Sequence, residues 1–62
     1  MIKIGQCYYD ERNDRYITTE STGCDPKVWR CTVEEYDADI DDIAISGMQL
    51  FNESELRKMV LM

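Results

Sequence analysis

The chain lacks histidine entirely, and this absence excludes the side chain that most often acts as a general base. Serine and cysteine nucleophiles usually depend on a histidine partner as well, so nucleophilic catalysis has little support. A chain of 62 residues also offers little concave volume in which paired carboxylates could be desolvated for acid and base work. We therefore expect no enzymatic activity.

Cysteine is sparse and odd in number, since there are only three. They cannot all pair within one chain, and a small secreted scaffold normally carries a larger, even set. Zinc sites use close cysteine pairs or histidines, and these spacings do not qualify. We expect Cys7, Cys24 and Cys31 to be reduced apolar fillers in a cytoplasmic protein that binds no metal or other cofactor.

Basic residues and long apolar runs are also scarce. Seven Lys and Arg against 13 Asp and Glu give a net charge of −6, and this field disfavours binding to nucleic acid or to an anionic membrane surface. No stretch approaches the roughly 20 apolar residues of a membrane span. The complementary partner is a protein with a basic surface.

What is present is the composition of a globular domain, with 44% hydrophobic and 32% charged residues. A single domain of this length, residues 1–62, lies near the lower limit at which an apolar core sustains a fold. We expect marginal stability in isolation, which self-association or a partner would increase.

Strand-forming residues dominate the first fifty positions. Runs 2–9 and 15–20 flank a polar turn and predict an antiparallel hairpin. After a turn that contains the only proline, residues 27–36 form the longest strand candidate, in which alternation places Trp29, Cys31 and Val33 inward. Residues 43–46 predict a fourth strand, Gly47 a bulge or bend, and residues 48–51 a short fifth strand.

The pattern changes to a helical period at the C-terminal end. Asn52 and Glu55 have the spacing of a capping box, which predicts a short helix over about 53–62. Its apolar stripe is expected to pack on the sheet, and a part left uncovered would provide a homodimer contact. The residues of this stripe are Leu56, Met59 and Val60.

These elements predict a mostly β (α+β) fold, either a small antiparallel sheet or a barrel of four to five strands with a short C-terminal helix. The opening Ile4-Gly5-Gln6-Cys7-Tyr8-Tyr9, the polar turn and Arg15-Tyr16-Ile17 resemble the first hairpin of small SH3-like barrels, including short proteins encoded by phages and mobile elements. The resemblance implies an SH3-like barrel. It covers about a third of the chain, and the Ala-Leu-Tyr-Asp-Tyr type of motif of signalling SH3 domains is missing, so binding of proline-rich peptides is not implied.

An acidic segment carries the main functional hypothesis, because six of the nine residues from 34 to 42 are acidic and none is basic. In an extended chain, Asp37, Asp39 and Asp41 would project from one face about 6.7 Å apart. Such a row would imitate nucleic-acid phosphates toward a basic partner and make the protein an inhibitory binding module. The alternative is a solvated loop that protects a sheet edge. The candidate partner-binding residues are Glu34, Glu35, Asp37, Asp39, Asp41 and Asp42.

Two other surfaces remain as alternatives to the acidic segment. Tyrosines on an exposed strand face would form a peptide-binding surface, although core packing is the better explanation of the aromatic residues. The third alternative is a small structural or oligomerising domain that uses the helix. The candidate aromatic face consists of Tyr8, Tyr9, Tyr16 and Tyr36.

Overall fold

The computed structural model describes residues 2–62, which form a five-stranded antiparallel sheet and one short helix. In sheet order the strands are β4, β3, β2, β1 and β5, so β4 and β5 are the two edges. The sheet is therefore open, which confirms the antiparallel sheet of the two predicted architectures. The elements are β1 Cys7–Asp10, β2 Arg15–Thr22, β3 Val28–Asp37, β4 Asp42–Asn52, α1 Glu53–Arg57 and β5 Val60–Leu61.

The predicted first hairpin is confirmed as the β1–β2 pair, but β1 begins at Cys7 and not at Ile2. Gly5 explains the difference, because its φ of +83° belongs to a turn and not to a strand. The Gly5 N–H donates to the Thr19 carbonyl at 2.7 Å. The chain before this turn folds back, and Ile2 is buried in the core.

β4 is a single strand of 11 residues with a bulge in its middle. Val33 of β3 pairs with Gly47, and Glu34 pairs with Ile45, so Ser46 is the extra residue. Gly47 has φ +152°, a value that L side chains rarely adopt. The predicted bulge is thus confirmed, whereas the predicted division into two strands is wrong. β4 contains no Lys, Arg or Pro, and within the strand the bulge and the charge of Asp42 are the features that oppose pairing with another chain.

The helix begins where the sequence predicted and ends earlier. The Asn52 side chain accepts from the Glu55 N–H at 2.9 Å, and the Glu55 carboxylate accepts from the Asn52 N–H at 3.2 Å. This capping box is confirmed, but the predicted extension of the helix to residue 62 is wrong, because α1 ends at Arg57. Val60 and Leu61 instead form β5 and pair with β1. This pairing provides hydrogen-bond partners for backbone groups that lie beyond the end of the short helix.

The core lies on one side of the sheet. The predicted inward positions Trp29, Cys31 and Val33 are confirmed, and Leu56 of α1 packs over them together with Ile2. Leu56 is fully buried and Met59 is half-buried against the core, so the predicted homodimer stripe offers only Val60 at the surface. The buried apolar residues are Ile2, Tyr8, Ile17, Trp29, Cys31, Val33, Phe51 and Leu56.

Asp10 is a buried carboxylate at the end of β1. It forms an ion pair with Arg15, from Nε to Oδ2 at 3.0 Å, and accepts from the Asn13 amide at 2.9 Å. Burial alone would raise the pKa of Asp10, but the hydrogen bonds from Asn13 and Arg15 outweigh it and hold the pKa below its usual value. The ionised form is therefore the one that stabilises the fold.

This arrangement predicts an acid-dependent contribution to stability. A group with a depressed folded-state pKa stabilises the protein above its unfolded pKa, and the contribution disappears as the pH falls through the folded pKa. The difference in melting temperature between the wild type and Asp10→Asn is therefore expected to shrink on acidification below about pH 4. The exposed neighbour Glu11 provides the control Glu11→Gln. A difference that stays constant down to pH 2 would contradict this role for Asp10.

Candidate functional site

The sheet has one covered face and one that carries no buried residue. Residues on the side opposite the core are all half-buried or exposed. One row of directly paired residues crosses all five strands on this side and consists of Val60, Tyr9, Tyr16, Glu34 and Ile45. We call this side the bare face.

The bulge in β4 decides which side chains reach the bare face. Ile43 and Ile45 precede the bulge and have odd numbers, whereas Met48 and Leu50 follow it and have even numbers. All four nevertheless pair with residues of β3 that lie on the bare face. Without the extra residue, strict alternation would send the two pairs to opposite faces. The four side chains, which we call the apolar row, are 42–70% exposed. They expose roughly 400 Å², as much as the largest patch on many monomers, and such patches are often functional.

Three of the four candidate tyrosines lie on the bare face. Tyr9 and Tyr16 are packed together, with ring centroids 5.2 Å apart at an interplanar angle of 44°, and Tyr36 pairs with Ile43. Tyr8 points to the other side, where it is buried and its hydroxyl donates to Gln6 at 2.9 Å. The four therefore do not form one aromatic surface.

The acidic segment forms the connection between β3 and β4, and we call residues 34–42 the hairpin tip. The Asp37 carboxylate accepts from the Asp39 N–H at 2.9 Å, and the Asp37 carbonyl accepts from the Ile40 N–H at 3.3 Å. Asp41 has a left-handed φ of +53°, which Asp tolerates well in turns. The predicted extended row of Asp37, Asp39 and Asp41 is therefore wrong, because the chain turns there to pair Asp42 with Asp37.

The tip nevertheless concentrates charge that no ion pair of the described residues neutralises. The two ion pairs found within residues 2–62 are Arg15–Asp10 and Arg57–Glu53, and neither involves the tip. The Tyr36 hydroxyl donates to Asp41, and this hydrogen bond raises the pKa of Tyr36. The six predicted carboxylates therefore form no ion pair within residues 2–62. They are Glu34, Glu35, Asp37, Asp39, Asp41 and Asp42.

Apolar side chains stand among these carboxylates. Ile40, in the turn itself, is 59% exposed, and Tyr36 is 56% exposed. A shallow hollow of about 250 Å³ lies at the base of the tip and is lined by Tyr36, Ala38 and Ile45, among others. The tip therefore presents a mixed surface, in which apolar side chains and carboxylates are both accessible to solvent.

The sequence contained a signal for the apolar row that pattern analysis missed. The apolar alternation of Ile43 and Ile45 changes phase before Met48 and Leu50, and the change falls at Ser46 and Gly47. A phase change at a glycine in a strand indicates a bulge that keeps both pairs on one face. Interpreting the glycine as a break between two strands obscured that consequence.

The cysteines divide into three environments. Cys31 is buried, and burial, with a smaller contribution from Glu20, raises its pKa to about 11. It is the apolar filler that was predicted. Cys7 is half-buried, but Cys24 is exposed, so the filler prediction is wrong for Cys24. Within residues 2–62, no three His, Cys, Asp or Glu side chains are grouped so that they could hold a metal ion.

The five residues of α1 are far too few to cross a bilayer, and residues 2–62 contain no helix long and apolar enough to do so. Comparisons of the chain with protein-family models, with curated proteins and with solved structures found no match.

Proposed function

We propose that the protein is a non-enzymatic protein-binding module that contacts its partner through the hairpin tip. The partner presents a basic surface with an apolar spot at its centre. The observation that supports this most strongly is the exposure of Ile40 in a turn with four aspartates, none of which forms an ion pair within residues 2–62.

Electrostatics supports a basic partner. The four aspartates of the turn, with Glu34 and Glu35 in the adjoining part of β3, create a local field that steers a cationic surface toward the tip and increases the association rate. Since the Debye length is about 8 Å at physiological ionic strength, the attraction acts mainly at short range. Added salt is therefore expected to weaken binding chiefly by slowing association.

The apolar residues of the tip add binding affinity that charge alone does not provide. Exposed ion pairs contribute little net affinity, whereas a buried aromatic or aliphatic anchor often dominates an interface. Tyr36 is held by its hydrogen bond to Asp41, so little rotamer entropy is lost on binding. Ile40 and Tyr36 are thus the anchors, and the carboxylates surround them.

Affinity capture from the native host tests this proposal. A prey captured by the wild type is expected to be lost with Ile40→Ser, and with Asp37, Asp39 and Asp41 all changed to Asn. Asparagine accepts the same turn hydrogen bonds and tolerates a positive φ, so the hairpin is retained. For the purified prey, calorimetry should show that either variant binds at least tenfold more weakly than the wild type. The affinity of the wild type should fall as the salt concentration is increased.

A matched control removes the same number of charges elsewhere. Glu11→Gln, Glu20→Gln and Asp25→Asn alter exposed side chains outside the tip. This triple variant is expected to bind the prey almost as well as the wild type. Equal losses with both triple variants would show that only net charge matters, and an unchanged prey with Ile40→Ser and the tip triple would exclude the tip as the interface.

A further inference from the structure

We propose that two copies of the chain pack bare face against bare face about a two-fold axis, with their strands antiparallel. The proposal goes beyond the binding role of the hairpin tip, because it concerns the middle of the sheet and leaves the turn residues 37–42 of both copies outside the contact. Of the six carboxylates of the tip it uses only Glu34, which lies within β3. The residues that carry it are Tyr9, Tyr16, Ile45, Met48 and Leu50, none of which is buried in one copy.

The size of the face fits a dimer. The molecule measures 36 by 20 Å across its two longer axes, an outline of roughly 700 Å². Because the turns lie outside the contact, each copy contributes less than this, which corresponds to a small, reversible interface below the 800 Å² or so per partner of a standard one. The apolar row lies along one side of this outline and the Tyr9–Tyr16 pair on the other side of β3. Two such sheets pack about 10 Å apart in an aligned sandwich.

Two of the three charged residues on the bare face are complementary across a two-fold axis. The third, Glu20, accepts a hydrogen bond from the Thr32 hydroxyl at 2.8 Å. Arg30 and Glu34 lie on the same side of β3, two residues before and two residues after Thr32. Neither forms an ion pair within residues 2–62. A two-fold axis near Thr32, with strands antiparallel across the interface, places Arg30 of each copy opposite Glu34 of the other. Such an isologous contact forms two identical ion pairs between Arg30 of one copy and Glu34 of the other.

The same axis resolves the repulsion between the acidic tips. In an antiparallel arrangement, the two tips point to opposite ends of a molecule 36 Å long, and this distance is several times the Debye length of about 8 Å. A parallel arrangement would bring the tips together. The charge distribution therefore selects the antiparallel dimer, and a dimer also stabilises a domain with so small a core.

Sedimentation equilibrium of the full chain from micromolar to millimolar concentration tests the dimer. A reversible monomer–dimer equilibrium is expected for the wild type. Ile45→Lys, at a side chain 70% exposed on the bare face, should weaken association at least tenfold. Ile4→Lys is the matched control, because Ile4 is 67% exposed and lies outside the strands; it should leave association unchanged. Circular dichroism and melting curves establish that each variant is folded.

A charge exchange tests the two-fold axis. Arg30→Glu alone and Glu34→Arg alone are each expected to weaken the dimer roughly tenfold, and the double variant should recover most of the loss. A wild type that is monomeric at every concentration would overturn the proposal. So would association that survives Ile45→Lys, because it would have to use another surface, such as the free edge of β4. A double variant as weak as the singles would exclude this axis.

Discussion

Replacing Phe51 with alanine is expected to lower the free energy of unfolding by about 3–5 kcal/mol. The ring is 2% exposed, pairs with Trp29 across β3 and β4, and lies 5.5 Å from the Arg15 guanidinium. Small domains have a stability of only about 5 kcal/mol. A large fraction of the variant should therefore be unfolded at 37 °C, and urea denaturation followed by the emission of Trp29 measures the change.

The neighbouring residue provides the control for Phe51. Leu50 is also a large apolar residue of β4, but it lies on the bare face and is 59% exposed. Leu50→Ala is expected to change the free energy of unfolding by no more than about 0.5 kcal/mol in the monomer. If the two variants lost the same stability, the covered and bare faces would have been assigned incorrectly.

Deleting Ser46, an exposed residue, is expected to destabilise the protein about as much as losing the Phe51 side chain, by ~3–5 kcal/mol. Without the bulge, a β4 that keeps Phe51 in the core must turn Ile43 and Ile45 from the bare face to the covered face. If these two keep their places instead, Phe51 is expelled into water. No single register of the shortened strand keeps Phe51 in the core and also keeps Ile43 and Ile45 on the bare face. Urea denaturation again gives the measurement.

The substitution Ser46→Ala separates the bulge from the side chain. It removes a hydrogen bond from the Ser46 hydroxyl to the Val33 carbonyl at 3.2 Å, which is worth about 1 kcal/mol, and it keeps the residue count. A small effect for the substitution together with a large effect for the deletion is expected. A deletion variant as stable as the wild type would show that the register of β4 is not required for folding.

The features predicted correctly from the sequence are local in origin. The capping box of α1 depends on two residues three positions apart, and the inward face of β3 follows from alternation around Trp29 and Val33. Each is decided by residues close in the chain, so each is visible as a pattern. The number of strands and turns predicted either a small antiparallel sheet or a barrel, and the strand order of the structure decides for the open sheet.

The features that were missed depend on pairing between distant segments. Val60 and Leu61 continue a helical pattern and nevertheless form a strand, because β1 offers an edge to pair with. The acidic segment turns because Asp37 pairs with Asp42 to close the hairpin. The six candidate carboxylates of the tip were identified from sequence, but their arrangement and the exposure of Ile40 among them require the tertiary structure.

The outer edge of β4 is not paired with another strand, and this affects the behaviour of the protein in solution. Eleven residues without Lys, Arg or Pro form a template for cross-β stacking, and mutual repulsion between acidic molecules opposes that stacking. This repulsion vanishes at the isoelectric point of about 4.3, where colloidal stability is lowest. The acidity of the chain thus also opposes fibril formation, and this protection is lost only as the pH falls toward about 4.3.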